Sequence, residues 1–292
     1  MMKFLRFPLV RMIIGMVMVV ASVVGAAVIF EFATKGLTLS HEAHDTLISL
    51  WLVATALCAY VAFVRLLERR PATELTPLRA PLELAMGCAV GAGLFFAVIA
   101  TLWTAGDFEF MGTNDWHVLA IPFALSLQSA FIEELAVRGV MFRILEEWLG
   151  TWISLLLTAS FFGGLHLLNP NSTVMGAVAI ACSAGVILAG AYALTRRLWL
   201  PIGLHFGWNF VESGVFDLPV SGHKLKGLVQ CRLEGPEWLT GGSFGPEASV
   251  VVIVLGLAVG AAFFVTAARS GRIVPPPWRR RVLAAEPTPL PN

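Results

Sequence analysis

Eight long apolar stretches constrain this chain more than any other feature of its sequence. A hydrocarbon core about 30 Å thick is crossed by roughly 20 helical residues. Charged residues make up only 13% of the chain, about half of the ~25% typical of a water-soluble domain. The sequence therefore predicts an all-α fold, a polytopic transmembrane helical bundle of about eight spans. The spans are placed near Met12–Phe30, Leu47–Leu67, Leu82–Trp103, Val118–Arg143, Trp152–Leu168, Val174–Leu194, Ile202–Phe216 and Val250–Ala268.

The distribution of basic residues predicts the orientation of these spans. If successive loops alternate across the membrane, sixteen of the 20 Lys and Arg residues fall on one side and four on the other. Because loops rich in Lys and Arg stay in the cytoplasm, both termini are predicted to be cytoplasmic. The first apolar run is longer than the core of a signal peptide, which indicates an uncleaved anchor. The net charge of +1 gives no reason to expect a nucleic-acid partner, whereas the lipid bilayer is an expected one.

Three regions follow from this organisation. Residues 1–113 hold the N-terminal transmembrane helices, residues 114–268 form a core that carries unusual polar motifs, and residues 269–292 form a basic, proline-rich tail that we expect to be disordered. The longest connection, Asp217–Ser249, is too polar to span and lies on the outer side. It is either a lid or a simple loop.

The informative residues are polar side chains inside the predicted spans. A charged side chain at the centre of a membrane helix costs about 2.5–3.5 kcal/mol on insertion scales, so such residues usually face a protein interior or a water-filled cavity. The fourth span reads FIEELAVRGVMFR, the fifth reads FFGGLH, and the seventh reads GLHFGWNF. These motifs supply Glu133, Glu134, Arg138, His166, His205 and Asn209.

Helical spacing separates the two acids of the fourth span. Glu134 and Arg138 are four residues apart, so they share a face and are expected to form an ion pair. Glu133 lies about 100° round the helix from Glu134. One carboxylate can therefore pair with Arg138 while the other faces a neighbouring helix.

The same spacing groups the polar residues of the other two spans. His205 and Asn209 are four apart, which places an imidazole and an amide on one face. Phe162 lies one turn before His166 and is positioned to support its ring. Each of these groups could be a purely structural contact between helices. Together they supply a candidate base, a group that can hold water, and donors for an oxyanion, which are the parts needed to hydrolyse an amide.

At these residues the sequence resembles the CAAX prenyl protease and bacteriocin-processing (CPBP) family of intramembrane proteases. That family carries Glu-Glu-x-x-x-Arg, then Phe-x-x-x-His, then His-x-x-x-Asn or Asp. The resemblance covers roughly Ala120 to Val250. The run Gly245-Pro246-Glu247 is also similar to a segment common in bacterial members. The three motifs occur here in order as Glu133-Glu134-x-x-x-Arg138, Phe162-x-x-x-His166 and His205-x-x-x-Asn209.

The resemblance implies an endopeptidase of a membrane-associated protein or peptide, in an integral membrane protein of the bacterial plasma (inner) membrane. It assigns Glu133 as general base, His166 as the residue that helps to hold a water, and His205 with Asn209 as oxyanion stabilisers. Structural support would come from Glu134, Arg138 and Phe162.

The resemblance leaves the metal requirement open, because some members of the family have been described as metalloproteases. Glu133, His166 and His205 could supply three zinc ligands with an open fourth position. No His-Glu-x-x-His motif is present. A metal-free glutamate mechanism is the favoured interpretation, and zinc is the alternative.

Two other functions fit a polytopic membrane protein of this kind. One is a non-enzymatic scaffold or bacteriocin-immunity protein. The other is a proton-coupled transporter, which is less favoured because no inverted repeat is evident. An enzyme requires Glu133, His166, His205 and Asn209 to converge in one water-accessible cavity. The predicted spans place His166 near the outer end of its helix and His205 near the inner end of its own, so this convergence is a demanding expectation.

Overall fold

The computed structural model describes residues 7–280, and these are predominantly helical. Within them, seven helices are long and apolar enough to cross a membrane. They are α1 Pro8–Thr34, α2 His41–Glu68, α3 Thr73–Ala105, α4 Trp116–Leu149, α5 Thr151–Leu168, α6 Val174–Thr195 and, last in the chain, α8 Val250–Arg269. Between α6 and α8 lies α7, Trp199–Asn209, which continues as a π-helical turn at Phe210–Val215. The predicted all-α membrane bundle is confirmed.

Helix α7 is shorter than the seven long helices, and it accounts for the difference between seven spans and the predicted eight. The two described chain ends lie at the same end of the bundle, because Arg11 pairs with the Glu147 carboxylate and Arg280 donates to the Glu147 carbonyl. Seven crossings would place them on opposite sides, so α7 completes an even number. It can be short because it is buried by protein along nearly its whole length and does not rely on contact with lipid.

Helix α7 is held against α3 by an unusually close approach of the two backbones. The helices run parallel, with Gly87 and Gly91 of α3 facing Gly203 and Gly207 of α7. A Cβ atom at any of the four would collide with a backbone oxygen of the other helix. Small residues at four-residue spacing allow this approach in membranes, where van der Waals packing drives helix association. The contact fixes the height of α7 in the bundle, and with it the height of His205.

A network of buried ion pairs closes the end of the bundle where the described chain ends lie. Arg143 is central to it: its guanidinium contacts Glu68 at 2.9 Å, Glu147 at 3.1 Å and the Gly139 carbonyl at 2.7 Å. Arg70 forms a bidentate pair with Glu74, with both N–O distances at 2.8 Å. Because Arg143 and Glu68 are almost fully buried, these charges can be accommodated only if they remain paired.

The opposite end of the bundle carries a small sheet that the sequence analysis did not predict. Strand β1, Phe108–Thr113, pairs antiparallel with β2, Val229–Leu233, with an irregularity between Phe110 and Gly112. The strands are six and five residues long and come from connections far apart in sequence, so no local hairpin signal marks them. The sheet anchors the long connection between α7 and α8 to the end of α3.

The start of the predicted disordered tail is in contact with the bundle as far as Arg280. The Val274 carbonyl accepts from the Thr151 N–H at 3.0 Å, and Val274 N–H donates to the Thr151 hydroxyl at 2.8 Å. Residues 281–292 of that tail lie outside the described residues. The predicted boundary at residue 113 follows from the sequence motifs alone. Helices on its two sides pack together, since α2 contacts α4 and α3 packs along α7.

We predict that Arg143→Met lowers the free energy of unfolding by about 3 kcal/mol. This is the lower end of the range for breaking a buried pair, because Arg70 and Arg11 remain beside Glu68. Thermal unfolding of the detergent-solubilised protein measures the effect. Arg79→Met is the matched control, since Arg79 is exposed and the change should leave the melting temperature within error. Equal melting temperatures for both variants would contradict a stabilising role for the network.

Candidate active site

The buried pair Glu134–Arg138 forms the base of the site. Glu133 ends the first α-helical part of α4, and a π-helical stretch, Glu134–Phe142, follows before the α-helix resumes at Arg143. Arg138 and Glu134 are 1% and 0% exposed, and Arg138 Nη1 lies 2.8 Å from Glu134 Oε1, as the four-residue spacing predicted. The pair is therefore in a low-dielectric environment, where a lone charge would be very costly.

Arg138 also ties three helices together. Its Nη2 donates to the carbonyls of Ala184 and Gly185 in α6, at 3.2 and 3.4 Å. Its guanidinium carbon lies 4.6 Å from the centre of the Phe162 ring in α5, a cation–π geometry. Arg138 thus joins α4 to α5 and α6, and Phe162 has a structural contact beyond the one predicted with His166.

His205 lies between the two acids of α4. Its Nδ1 is 3.1 Å from Glu134 Oε1, and its Nε2 is 3.9 Å from Glu133 Oε2. Helical spacing predicted that Glu134 pairs with Arg138, and the same Glu134 oxygen also contacts His205. Glu134 consequently fixes the orientation of the imidazole whose other nitrogen faces Glu133.

His166 reaches the same region from α5. Its Nδ1 donates to the Phe162 carbonyl at 2.7 Å, which leaves Nε2 as a free acceptor. The α-helical part of α5 has only 15 residues, about 22 Å, so His166 does not reach the far face of a hydrocarbon core about 30 Å thick. The Phe162 ring lies 4.7 Å from the His166 ring and 6.4 Å from the His205 ring. The short helix and this shared aromatic contact account for the expected mismatch in depth.

Asn209 lies one turn along α7 from His205. Its Nδ2 donates to the Ser129 hydroxyl at 3.2 Å, and Ser129 donates to the Ser126 carbonyl at 3.2 Å. The amide is therefore held toward α4 by a hydroxyl that the sequence analysis did not single out. Ser126 and Ser129 are three residues apart on the same helix as Glu133, and a search for small polar residues on the face of α4 that carries Glu133 could have found them.

All four predicted catalytic residues line one cavity of about 480 Å³. Glu133 is the more accessible of the two acids of α4, with 35% of its side chain exposed, and its Oε2 has no hydrogen-bond partner among the described residues. The cavity also has an apolar side formed by Ile187, Leu188 and Leu204. A partly exposed carboxylate, whose buried Oε2 is unpartnered, therefore lines one space together with two imidazoles and an amide, and this space is large enough for a peptide segment.

Two further acids are buried in this region, one lining the cavity and one hydrogen-bonded to the lining residue Trp208, and the sequence motifs predicted a role for neither. Glu212 is fully buried three residues beyond Asn209, and Glu247, which is 6% exposed, lines the cavity. Glu212 falls inside the predicted span Ile202–Phe216, so its charge alone could have marked it. Glu247 belongs to the Gly-Pro-Glu run.

The donor set does not form a metal site as it is arranged. Within residues 7–280, no three His, Cys, Asp or Glu side chains lie close enough together to hold a metal ion. Imidazole nitrogens are zinc ligands, but His166, His205 and Glu133 do not lie close enough together to coordinate one ion. We therefore derive no catalytic step through a metal.

The part of the chain that carries these polar residues is similar to a known protein family. Residues 115–211 match the family model described as Type II CAAX prenyl endopeptidase Rce1-like. The CPBP resemblance is confirmed. The matched segment runs from the residue before α4 into the π-helical turn of α7, so it contains all three motifs of this CAAX endopeptidase-like region. No curated protein and no solved structure matches the chain. The family match supports a membrane endopeptidase.

We predict that Arg138→Ala lowers the free energy of unfolding by about 3–5 kcal/mol, because it leaves Glu134 as an uncompensated buried charge. Thermal unfolding in detergent measures this loss. The double variant Glu134→Gln/Arg138→Met should recover part of it, since neither side chain then carries a charge. A double variant less stable than Arg138→Ala would contradict the electrostatic explanation.

Proposed function

We propose that this protein is an intramembrane endopeptidase in which Glu133 activates a water molecule. One observation carries the proposal. The Glu133 side chain, which is 35% exposed, lines a cavity that His166, His205 and Asn209 also line, and it forms no ion pair with Arg138. A general base needs access to water and a place for the reacting carbonyl, and this cavity offers both.

In the proposed reaction, a water is held between Glu133 and His166 Nε2. Glu133 takes a proton from this water while the water oxygen attacks the carbonyl carbon of the substrate. The attack gives a tetrahedral oxyanion. The oxyanion accepts hydrogen bonds from Asn209 Nδ2 and His205 Nε2. Glu133 then passes the proton to the leaving nitrogen, the C–N bond breaks, and the products are a carboxylic acid and an amine.

His205 can donate to an oxyanion only when Nε2 carries a hydrogen. Nδ1 lies against Glu134 and Nε2 faces Glu133. The doubly protonated imidazolium satisfies both carboxylates at once, and it presents a positive charge beside the developing oxyanion. Glu134 would then act as a positioning residue, through His205, rather than as a base.

We propose a membrane-associated protein or peptide of the bacterial plasma membrane as the substrate. The cavity lies among helices that span the bilayer, and its apolar side suits a hydrophobic segment. Its far end is lined by residues of the connection between α7 and α8, at the end of the bundle away from the described chain ends. By the positive-inside distribution, this end faces away from the cytoplasm.

We predict that Glu133→Gln abolishes proteolysis while leaving the protein folded in the membrane. The amide keeps the shape of the side chain but cannot take a proton from water. Profiling of N- and C-terminal peptides, in cells expressing the wild type or the variant at equal level, measures the effect. Glu42→Gln is the control, because Glu42 is an exposed acid on α2.

The same profiling separates the enzyme from the scaffold. New peptide ends should appear with the wild type and with Glu42→Gln, and be absent with Glu133→Gln and in cells without the protein. If wild type and Glu133→Gln yield the same ends, Glu133 is not the base. If the wild type yields no ends beyond those of cells without the protein, the non-enzymatic interpretation is correct.

We further predict that the reaction needs no bound metal. Dialysis of the purified protein against EDTA should leave cleavage of a peptide identified by the profiling unchanged, and elemental analysis should find no stoichiometric zinc before dialysis. Loss of cleavage that is restored by added Zn²⁺, together with zinc bound at one ion per chain, would contradict this prediction.

A further inference from the structure

A short segment closes one end of the catalytic cavity. We call residues 217–225 the roof, because Val220, Ser221, His223, Lys224 and Leu225 line the cavity. The roof folds back on itself, since Val220 and His223 exchange two backbone hydrogen bonds of 2.9 Å. Asn169, just after α5, donates to the Ser221 carbonyl at 3.1 Å. The roof is thus a compact turn over the cavity rather than an extended loop.

Glu247 holds the roof in place. Its Oε2 accepts hydrogen bonds from the Ser221 N–H at 2.7 Å and from the Ser221 hydroxyl at 2.6 Å. Glu247 is itself buried, in the turn Pro246–Ala248 that leads into α8. Hydrogen bonds to a charged acceptor are about twice as strong as neutral ones. Glu247 therefore fixes the roof to a rigid part of the bundle.

A second buried carboxyl lies on the other side of this link. Glu212 of α7 accepts from the Trp208 indole N–H at 2.9 Å through Oε2. Its Oε1 has no partner among the described residues and lies 3.5 Å from the point where a Cβ of Gly245 would be. Gly245 directly precedes the turn that carries Glu247, so Glu212 lies near that turn. Among the described residues, the side-chain partners of the two carboxyls are Trp208 for Glu212 and Ser221 for Glu247, and neither partner is basic.

Two neighbouring carboxylates in a low dielectric, with no cation between them, cannot both ionise. Glu247 receives two donors and is the better site for the negative charge. Glu212 receives one donor and its other oxygen receives none, so a charge there would be poorly compensated, and protonation removes that charge. We propose that Glu247, as a carboxylate, and Glu212, as its protonated partner, form a latch that positions the roof over the catalytic cavity. The inference rests on the proposed function only in taking this cavity as the active site.

The latch can be tested on the purified full-length protein by limited digestion with trypsin. The roof offers Lys224, and Lys226 follows it, both exposed, while exposed Arg272 beyond α8 serves as an internal reference. Mass spectrometry measures the rate of cleavage at each site. Because trypsin supplies the proteolysis, the result does not depend on the activity of this protein, and the latch and the proposed function can fail separately.

We expect Glu247→Gln to raise the cleavage rate in the roof by about tenfold relative to Arg272, since loss of a charged hydrogen bond shifts an opening equilibrium by roughly that factor. Ser221→Ala should give a smaller rise, because the backbone N–H still donates. Trypsin should cut the double variant no faster than Glu247→Gln, because both changes remove the same contact between Glu247 and Ser221. Glu237→Gln is the control, as an exposed acid of the same connection, and should match the wild type.

Glu212→Gln tests which acid holds the proton. The amide is neutral, keeps an acceptor for Trp208 and can donate from its nitrogen, so the cleavage rate should equal that of the wild type. A slower rate would mean that Glu212 is ionised and repels Glu247, and a faster rate would mean that the amide cannot replace the protonated acid. Either result overturns the assignment of the proton to Glu212. The latch itself is overturned if Glu247→Gln leaves the ratio of roof cleavage to Arg272 cleavage unchanged, including the case in which both rates rise together.

A kinetic readout distinguishes positioning from general support of the fold. With a peptide identified by terminal profiling, Glu247→Gln should change KM several-fold while kcat stays near the wild-type value, because a loosened roof alters access but leaves Glu133 and His205 in place. A fall in kcat at unchanged KM would contradict a role confined to the roof.

Discussion

A single carboxylate oxygen, Glu134 Oε1, organises the centre of this protein. It lies 2.8 Å from the Arg138 guanidinium and 3.1 Å from the His205 imidazole. In a membrane interior a carboxylate is stable only when such partners surround it. Arg138 in turn binds carbonyls of α6 and stacks on Phe162. The requirement to compensate one buried charge therefore sets the relative positions of four helices.

This arrangement leaves Glu133 as the exception among the acids of α4. Glu134 is fully buried and contacts Arg138 and His205 through Oε1, whereas the adjacent Glu133 is 35% exposed and lines the cavity. Two chemically identical residues thus have different surroundings because the helix points them about 100° apart. The ion pairs around Arg143 lie toward the far end of the same helix. The buried ion-pair network and the cavity-lining acid thus occupy different parts of α4.

Much of this could be predicted from the sequence, and the remainder has physical reasons. Apolar length and charge distribution predicted the bundle, and helical spacing predicted the Glu134–Arg138 pair, because both depend on local periodicity. The contact between Glu134 and His205 joins residues 71 positions apart, so no local pattern encodes it. The pairing of β1 with β2 and the position of Ser221 against Glu247 were missed for the same reason. The catalytic roles of Glu133, His166, His205 and Asn209 remain a prediction.

The glycine contact between α3 and α7 has a consequence for biosynthesis. Helix α7 is short and carries His205, Asn209 and Glu212, so a translocating ribosome would deliver to the bilayer a segment that lipid alone accepts poorly. Helix α3 emerges more than one hundred residues earlier and offers the groove into which α7 fits. Helix α3 therefore provides a packing surface that is already present when the polar helix α7 is made. A gene trimmed to residues 115–211 would encode every motif and lack the surface on which His205 and Asn209 are assembled.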